Sequence, residues 1–292
     1  MNNVNLKWIY LFTLSLIWGS SFILMKKVLI GLTAVQLGSL RIIFSGFFLF
    51  IVGFNKIKTI TSKDWKWVGL TGLLGTFFPV FFFAYAQTEI DSSIASILNS
   101  LVPLNTVLVG FLVFKIVSTK RQILGVFIGL LGTVMLIVNG ASIHSNQNYL
   151  YVIFIILATL SYATSVNVLK RYLQNMHALT IAVGNFAVII IPAVIILISS
   201  GFFKTEVLVS PSLKPALLYL LILSLFGTAM AKVLFNKLVY VATPVFASSV
   251  TYLMPIVAIF WGILDDESLT LLQVFAGLII LLGVYLVHKR KG

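Results

Sequence analysis

The sequence predicts an all-α membrane protein: ten transmembrane helices arranged as two inverted five-helix repeats. Composition is the first observation. Of 292 residues, 60% are apolar and only 9% charged, too little polar surface to cover a soluble domain. Second, apolar runs long enough to span a bilayer fall near residues 7–25, 34–53, 66–87, 92–114, 121–138, 149–169, 178–198, 215–240, 244–264 and 270–288. Third, the chain repeats itself. A shift of 152 positions carries Ala95, Ser96, Leu101, Pro103 and Gly110 onto Ala247, Ser248, Leu253, Pro255 and Gly262. The same shift carries Gly75-Thr76 onto Gly227-Thr228, Phe83 onto Phe235 and Gly125 onto Gly277.

Taken in order, the first run lacks a small-residue cleavage site and matches a later segment, so it is a span and not a signal peptide. Its counterpart lies at a shift of 144, which carries Trp18, Ser21, Lys26 and Ala34 onto Tyr162, Ser165, Lys170 and Ala178. The change of offset falls in the loop around residues 199–214. The fourth and ninth runs open with helix-start signals, Asp91 with Ser92-Ser93 and Thr243-Pro244. Each then carries a proline, Pro103 or Pro255, about 16 Å along the helix, near the middle of the bilayer core. The only internal boundary lies near residues 139–148, giving repeats over 1–140 and 149–292. The chain has no cysteine, which excludes disulfides and thiol chemistry.

The formal charge of +13 would suggest nucleic acid in a soluble protein. Here the basic residues lie in short connections, where they set orientation. With a cytoplasmic N-terminus, the inside connections hold Lys7, Lys56, Lys58, Lys63, Lys66, Lys115, Lys120, Arg121, Lys170, Arg171, Lys289, Arg290 and Lys291, and the outside ones only Lys26, Lys27, Lys204 and Lys214. Both termini are therefore expected inside. An odd number of spans per repeat puts the second half upside down relative to the first, the architecture of an alternating-access carrier with its site near the midplane.

The tract 16–22, Leu-Ile-Trp-Gly-Ser-Ser-Phe, resembles the EamA type of the drug/metabolite transporter superfamily. So do the Ala95 to Pro103 segment with its repeat at Ala247 to Pro255, and the final helix bearing Gly277 and Gly283. The resemblance covers essentially the whole chain. It implies a ten-helix carrier in a bacterial inner membrane whose cavity is lined mainly by helices 1, 3, 4, 6, 8 and 9, with helices 5 and 10 outside. It also implies a small-molecule substrate, often an exported amino acid or related compound. No cofactor, metal or nucleic acid is expected from the residues, and a homodimer stays open. Related chains often have Glu just after both the fourth and ninth helices. Here Glu267 is present, but Lys115 occupies the repeat-equivalent position.

The midplane can be read from the residues alone. Pro103 and Pro255 leave the carbonyls of Asn99 and Thr251 without their helical partners and make candidate hinges. An unsatisfied polar group in lipid is costly, so Ser96, Asn99, Ser100, Asn105, Ser248, Thr251 and Tyr252 are expected to face the interior. They serve there either as substrate contacts, Asn99 and Thr251 foremost with Tyr252 after them, or as bonds between helices. Trp18 and Tyr162, repeat equivalents beside Ser21 and Ser165, could stack an apolar part of a substrate. Six aromatics crowd residues 77–85, of which one or two would line the cavity, Tyr85 being the candidate.

Two basic residues fall seven or more residues from either end of a span. Arg41 lies near the outer start of its helix and is expected to snorkel to the headgroups. Lys232 is deeper and either snorkels inward or faces the cavity, where a substrate carboxylate would be its partner. Small multidrug pumps of the same superfamily carry an acid in the first helix; this first helix offers Thr13, Ser15, Ser20 and Ser21, which disfavours a proton-coupled cation pump. His144, His177 and His288 fall in loops or the tail. No catalytic constellation within a span suggests an enzyme; a sensor or scaffold, which would be expected to carry a soluble output domain, is the weaker alternative.

Overall fold

The computed structural model describes residues 3–116, 119–143 and 148–288. Ten apolar helices make up the bundle: α1 (Leu6–Leu29), α2 (Ala34–Thr59), α3 (Ser62–Ala86), α4 (Ser92–Leu112), α5 (Lys120–Val138), α6 (Tyr149–Tyr172), α7 (Ala178–Ser199), α8 (Leu213–Val241), α9 (Pro244–Leu264) and α10 (Leu271–Leu286). Nine are long enough to cross a membrane by length and composition, and α10 is a shorter apolar helix. No strand occurs among the described residues. With five helices in each half, α6 begins at the end of the bundle where α1 finishes, so the two repeats run in opposite senses. His144, Lys289, Arg290 and Lys291 lie outside the described residues.

Local sequence accounts for the departures from straight helices. At α4, the chain is helical over Ser92–Asn99, turns, and resumes over Val102–Leu112; at α9 it is helical over Pro244–Ser248, tightens to a 3₁₀ turn over Ser249–Tyr252, and resumes over Met254–Leu264. Pro103 and Pro255 open the second segments, where a missing N–H costs least. α3 and α8 widen instead into π turns, over Leu73–Phe77 and Leu223–Met230. Both turns contain a Gly-Thr pair, Gly75-Thr76 or Gly227-Thr228.

Close backbone approach holds α5 to α10. A Cβ added at Gly283 would lie 2.6 Å from the Gly125 carbonyl oxygen, and one at Gly132 would lie 2.9 Å from that of Ala276. Without a hydrophobic force between helices in lipid, such small-residue contacts supply the packing.

At the end of the bundle where α1 finishes, an ionic latch joins three segments. Glu267 Oε1 accepts hydrogen bonds from Ser92 N (3.1 Å), Ser92 Oγ (2.7 Å) and Lys26 Nζ (2.9 Å), and Oε2 accepts from Ser93 N (3.0 Å) and Ser93 Oγ (2.6 Å). The first amides of α4 would otherwise be unpaired, and a carboxylate at a helix N-terminus is favoured electrostatically. Lys26 also pairs with Asp265 at 2.9 Å, and Lys27 binds the same carboxylate. The opposite end has a different arrangement. Pro244 and Val245 replace the two serines, Lys115 replaces the glutamate, and α9 is capped locally by Thr243 Oγ1, which accepts from Phe246 N at 3.2 Å. Lys170, the repeat equivalent of Lys26, donates there to the carbonyls of Val239 (3.2 Å) and Ala242 (2.9 Å).

Candidate functional site

The broken helices α4 and α9 meet the two π turns around a central cavity of about 110 Å³. Its wall is built as pairs across the repeats. Trp18 with Tyr162, Ser21 with Ser165, and Asn99 with Thr251 all line it, as do both Gly-Thr pairs. The pairing is also physical. A Cβ on Gly227 would meet Ser21 Oγ at 2.6 Å, and one on Gly75 would strike Ser165 Oγ. First-repeat α1 thus sits against second-repeat α8 as α6 sits against α3.

A π turn displaces the ordinary helical pairing and turns carbonyls inward. Two of them are claimed by side chains of the opposite repeat: Trp18 Nε1 donates to the Gly227 carbonyl at 3.0 Å, and Lys232 Nζ to that of Gly75 at 3.2 Å. The proline break in α9 frees the carbonyl of Thr251, which accepts from Ser100 Oγ of α4 at 2.9 Å. The Asn99 amide has a long contact from Nδ2 to the Met254 thioether, 3.8 Å. Its Oδ1 and the hydroxyl of Thr76 are buried against the cavity with no partner among the described residues.

Of the eight residues that the sequence offered for binding, Trp18, Ser21, Asn99, Tyr162, Lys232 and Thr251 line this cavity, and Tyr85 and Tyr252 do not. Tyr85 is 36% exposed, its ring stacked on Phe154 on the outside of the bundle, because residues 77–85 surround α3 with aromatics and only one face can point inward. Tyr252 lies at the end of the 3₁₀ turn of α9, which swings its hydroxyl to the Val284 carbonyl of α10 at 3.3 Å. Lys232 is buried beside the cavity and does not reach toward the headgroups.

The expectation for Arg41 is overturned. It does not snorkel: it is 7% exposed, donates from Nε to Thr228 Oγ1 at 2.7 Å, and lines the cavity. Distance from the helix end suggested the lipid boundary, but the face decided, since Arg41 and Ser45 both reach α8, Ser45 Oγ bonding the Ser224 carbonyl at 3.0 Å. Besides Arg41, the sequence reading missed Thr76 and Thr228, whose signal was present in the recurrent Gly-Thr pair. No lining residue comes from α5, α7 or α10, and α2 contributes Arg41.

The EamA-like transporter family model matches residues 6–138 and again 149–288. The chain belongs to the EamA-like transporter family. An uncharacterized transporter of Methanothermobacter thermautotrophicus (strain Delta H) is 24% identical, the alignment covering 96% of this chain and 85% of that protein. A solved crystal structure is similar in fold, with a TM-score of 0.66 at 16% identity, covering 96% of this chain and 95% of its own. This EamA-like protein is therefore a multi-pass membrane transporter with a small-molecule substrate, and not an enzyme.

Proposed function

We propose that this EamA-like transporter carries small polar metabolites by alternating access, as an exporter or facilitator of amino acids or related compounds in a bacterial inner membrane, with both termini cytoplasmic. The observation that carries this reading is the central cavity itself, a mostly apolar wall into which polar groups of both repeats project where α4 and α9 break. Lys232 pairs with a carboxylate of the substrate, Asn99 and Thr251 supply neutral polar contacts, and Trp18 and Tyr162 flank its apolar part. The two repeats rock about the breaks at Pro103 and Pro255. Coupling of protons to cation efflux is disfavoured because no Asp or Glu lines the cavity.

Reconstitution into liposomes with labelled amino acids and organic acids, at several pH values, tests the reading. Saturable counterflow is expected for compounds bearing a carboxylate, and Lys232→Met is expected to raise KM for them roughly tenfold or more, the value of a hydrogen bond to a charged group. Absence of transport for every compound would sink the carrier reading.

A further inference from the structure

We propose that the cavity is a site for two negative charges, so that the carried metabolite is a small organic dianion and not a zwitterionic amino acid. This rests on the carrier reading above and narrows its cargo to the related compounds named there, small diacids in place of neutral amino acids. Arg41 reaches the cavity from α2 and Lys232 from α8, and both are buried, at 7% and 8% exposure. Each is held on one side only. The Arg41 guanidinium gives Nε to Thr228 Oγ1 and Nη1 to the Met25 thioether at 3.3 Å, a weak acceptor, while Nη2 meets no acceptor among the described residues. Lys232 Nζ donates to the Gly75 carbonyl and to no other acceptor among them. Thr228, which holds the Arg41 head, and Lys232 stand four residues apart on α8, so both cations are tied to one face of that helix. A small diacid offers one carboxylate to each cation, and apolar lining residues such as Val80 and Phe83 suit its methylene part.

No charge of the protein answers these cations. All seven acids of the chain fall among the described residues, and none lines the cavity. The ion pairs found join Lys26 and Lys27 to Asp265 and Glu267 at the end of the bundle. A buried cation without a counter-charge is strongly unfavourable, and two that share a cavity also repel each other. The repeat scaffold does not require them, since Val80 stands at the repeat position of Lys232 and Asn185 at that of Arg41. They are additions to an otherwise paired wall, and together they suit an anionic ligand. The ammonium of an amino acid would sit beside both cations with no carboxylate to receive it.

The purified full chain, followed by intrinsic fluorescence on heating, is titrated with succinate, its monoamide succinamate, alanine, putrescine and sodium chloride at matched ionic strength; uptake of the organic compounds into liposomes is measured in parallel. Succinate is expected to raise the melting temperature and to be transported, and alanine, putrescine and chloride to do neither. Arg41→Gln and Lys232→Gln should each weaken succinate at least about tenfold and shift preference toward succinamate. Arg41→Lys and Lys232→Arg, which keep the charge, should retain succinate. Alanine carried as well as succinate would overturn the dianion assignment and leave the carrier reading intact. Stabilisation by chloride equal to that by succinate would reduce the site to an inorganic anion site and overturn it as well. So would an unchanged ratio of succinate to succinamate in both glutamine variants, or no response to either compound. Transport of none of the panel would count against both readings.

Discussion

Glu267 uses both carboxylate oxygens, accepting two backbone amides, two hydroxyls and the ammonium of Lys26. Burial alone would raise its pKa, but the hydrogen bonds from Ser93, Ser92 and Lys26 outweigh that and hold the carboxyl below its ordinary range. Burial likewise opposes ionisation of Asp265, and Lys27 and Lys26 outweigh it. Because both folded values are depressed, the stability they contribute is complete above the ordinary carboxylate range near 4. It is lost as pH falls through the lower folded values. Glu267→Gln keeps the shape but turns an NH₂ toward donors; thermal unfolding should show a loss of roughly 2 kcal/mol and a flatter dependence on acid pH. An unchanged melting curve would count against the latch. In the sequence Glu267 stood out only by family resemblance, since its partners lie at the far ends of α1 and α4. Arg41 shows a similar limit: its distance along α2 could be read from the sequence, and the face it occupies could not.

At the scale of elements, the proline breaks were legible because proline acts on its own helix, and the loss of a carbonyl partner follows from covalent geometry. The groups that answer that loss were not legible. The Ser100 hydroxyl that meets the Thr251 carbonyl comes from the other repeat. The π turns were likewise hidden, since one extra residue in a helix leaves an apolar run apolar; only the recurrence of Gly-Thr marked the places. Pro255→Ala restores an N–H that can claim the Thr251 carbonyl within α9 and straightens the helix. Transport in liposomes is expected to fall severalfold while the melting temperature holds or rises. Ser100→Ala instead leaves that carbonyl unanswered and should lower stability by about 1 kcal/mol. Full transport in Pro255→Ala would show that the break is not a working hinge.

For the molecule as a whole, composition and the internal repeat made the ten helices and their arrangement in two halves readable, because both are properties summed over many residues. Tyr85 and Tyr252 were misplaced because a bundle sorts side chains by face, and a crowded run such as residues 77–85 carries no single face. Orientation is open to direct test in a chain without cysteine. Single cysteines at the exposed positions Thr59 and Thr205 should react with a membrane-impermeant maleimide from opposite sides, Thr59→Cys from the cytoplasm and Thr205→Cys from outside. Reaction of both from one side would contradict the inverted arrangement. The unequal bolting of the two mouths has a consequence for the transport cycle. Opening one mouth means parting Glu267 and Asp265 from their lysines, whereas the other is held at the matching place by Lys170 on neutral carbonyls. On the alternating-access reading proposed above, the latched mouth is the costlier one to open, and the empty protein is expected to favour the form turned toward its N-terminal side.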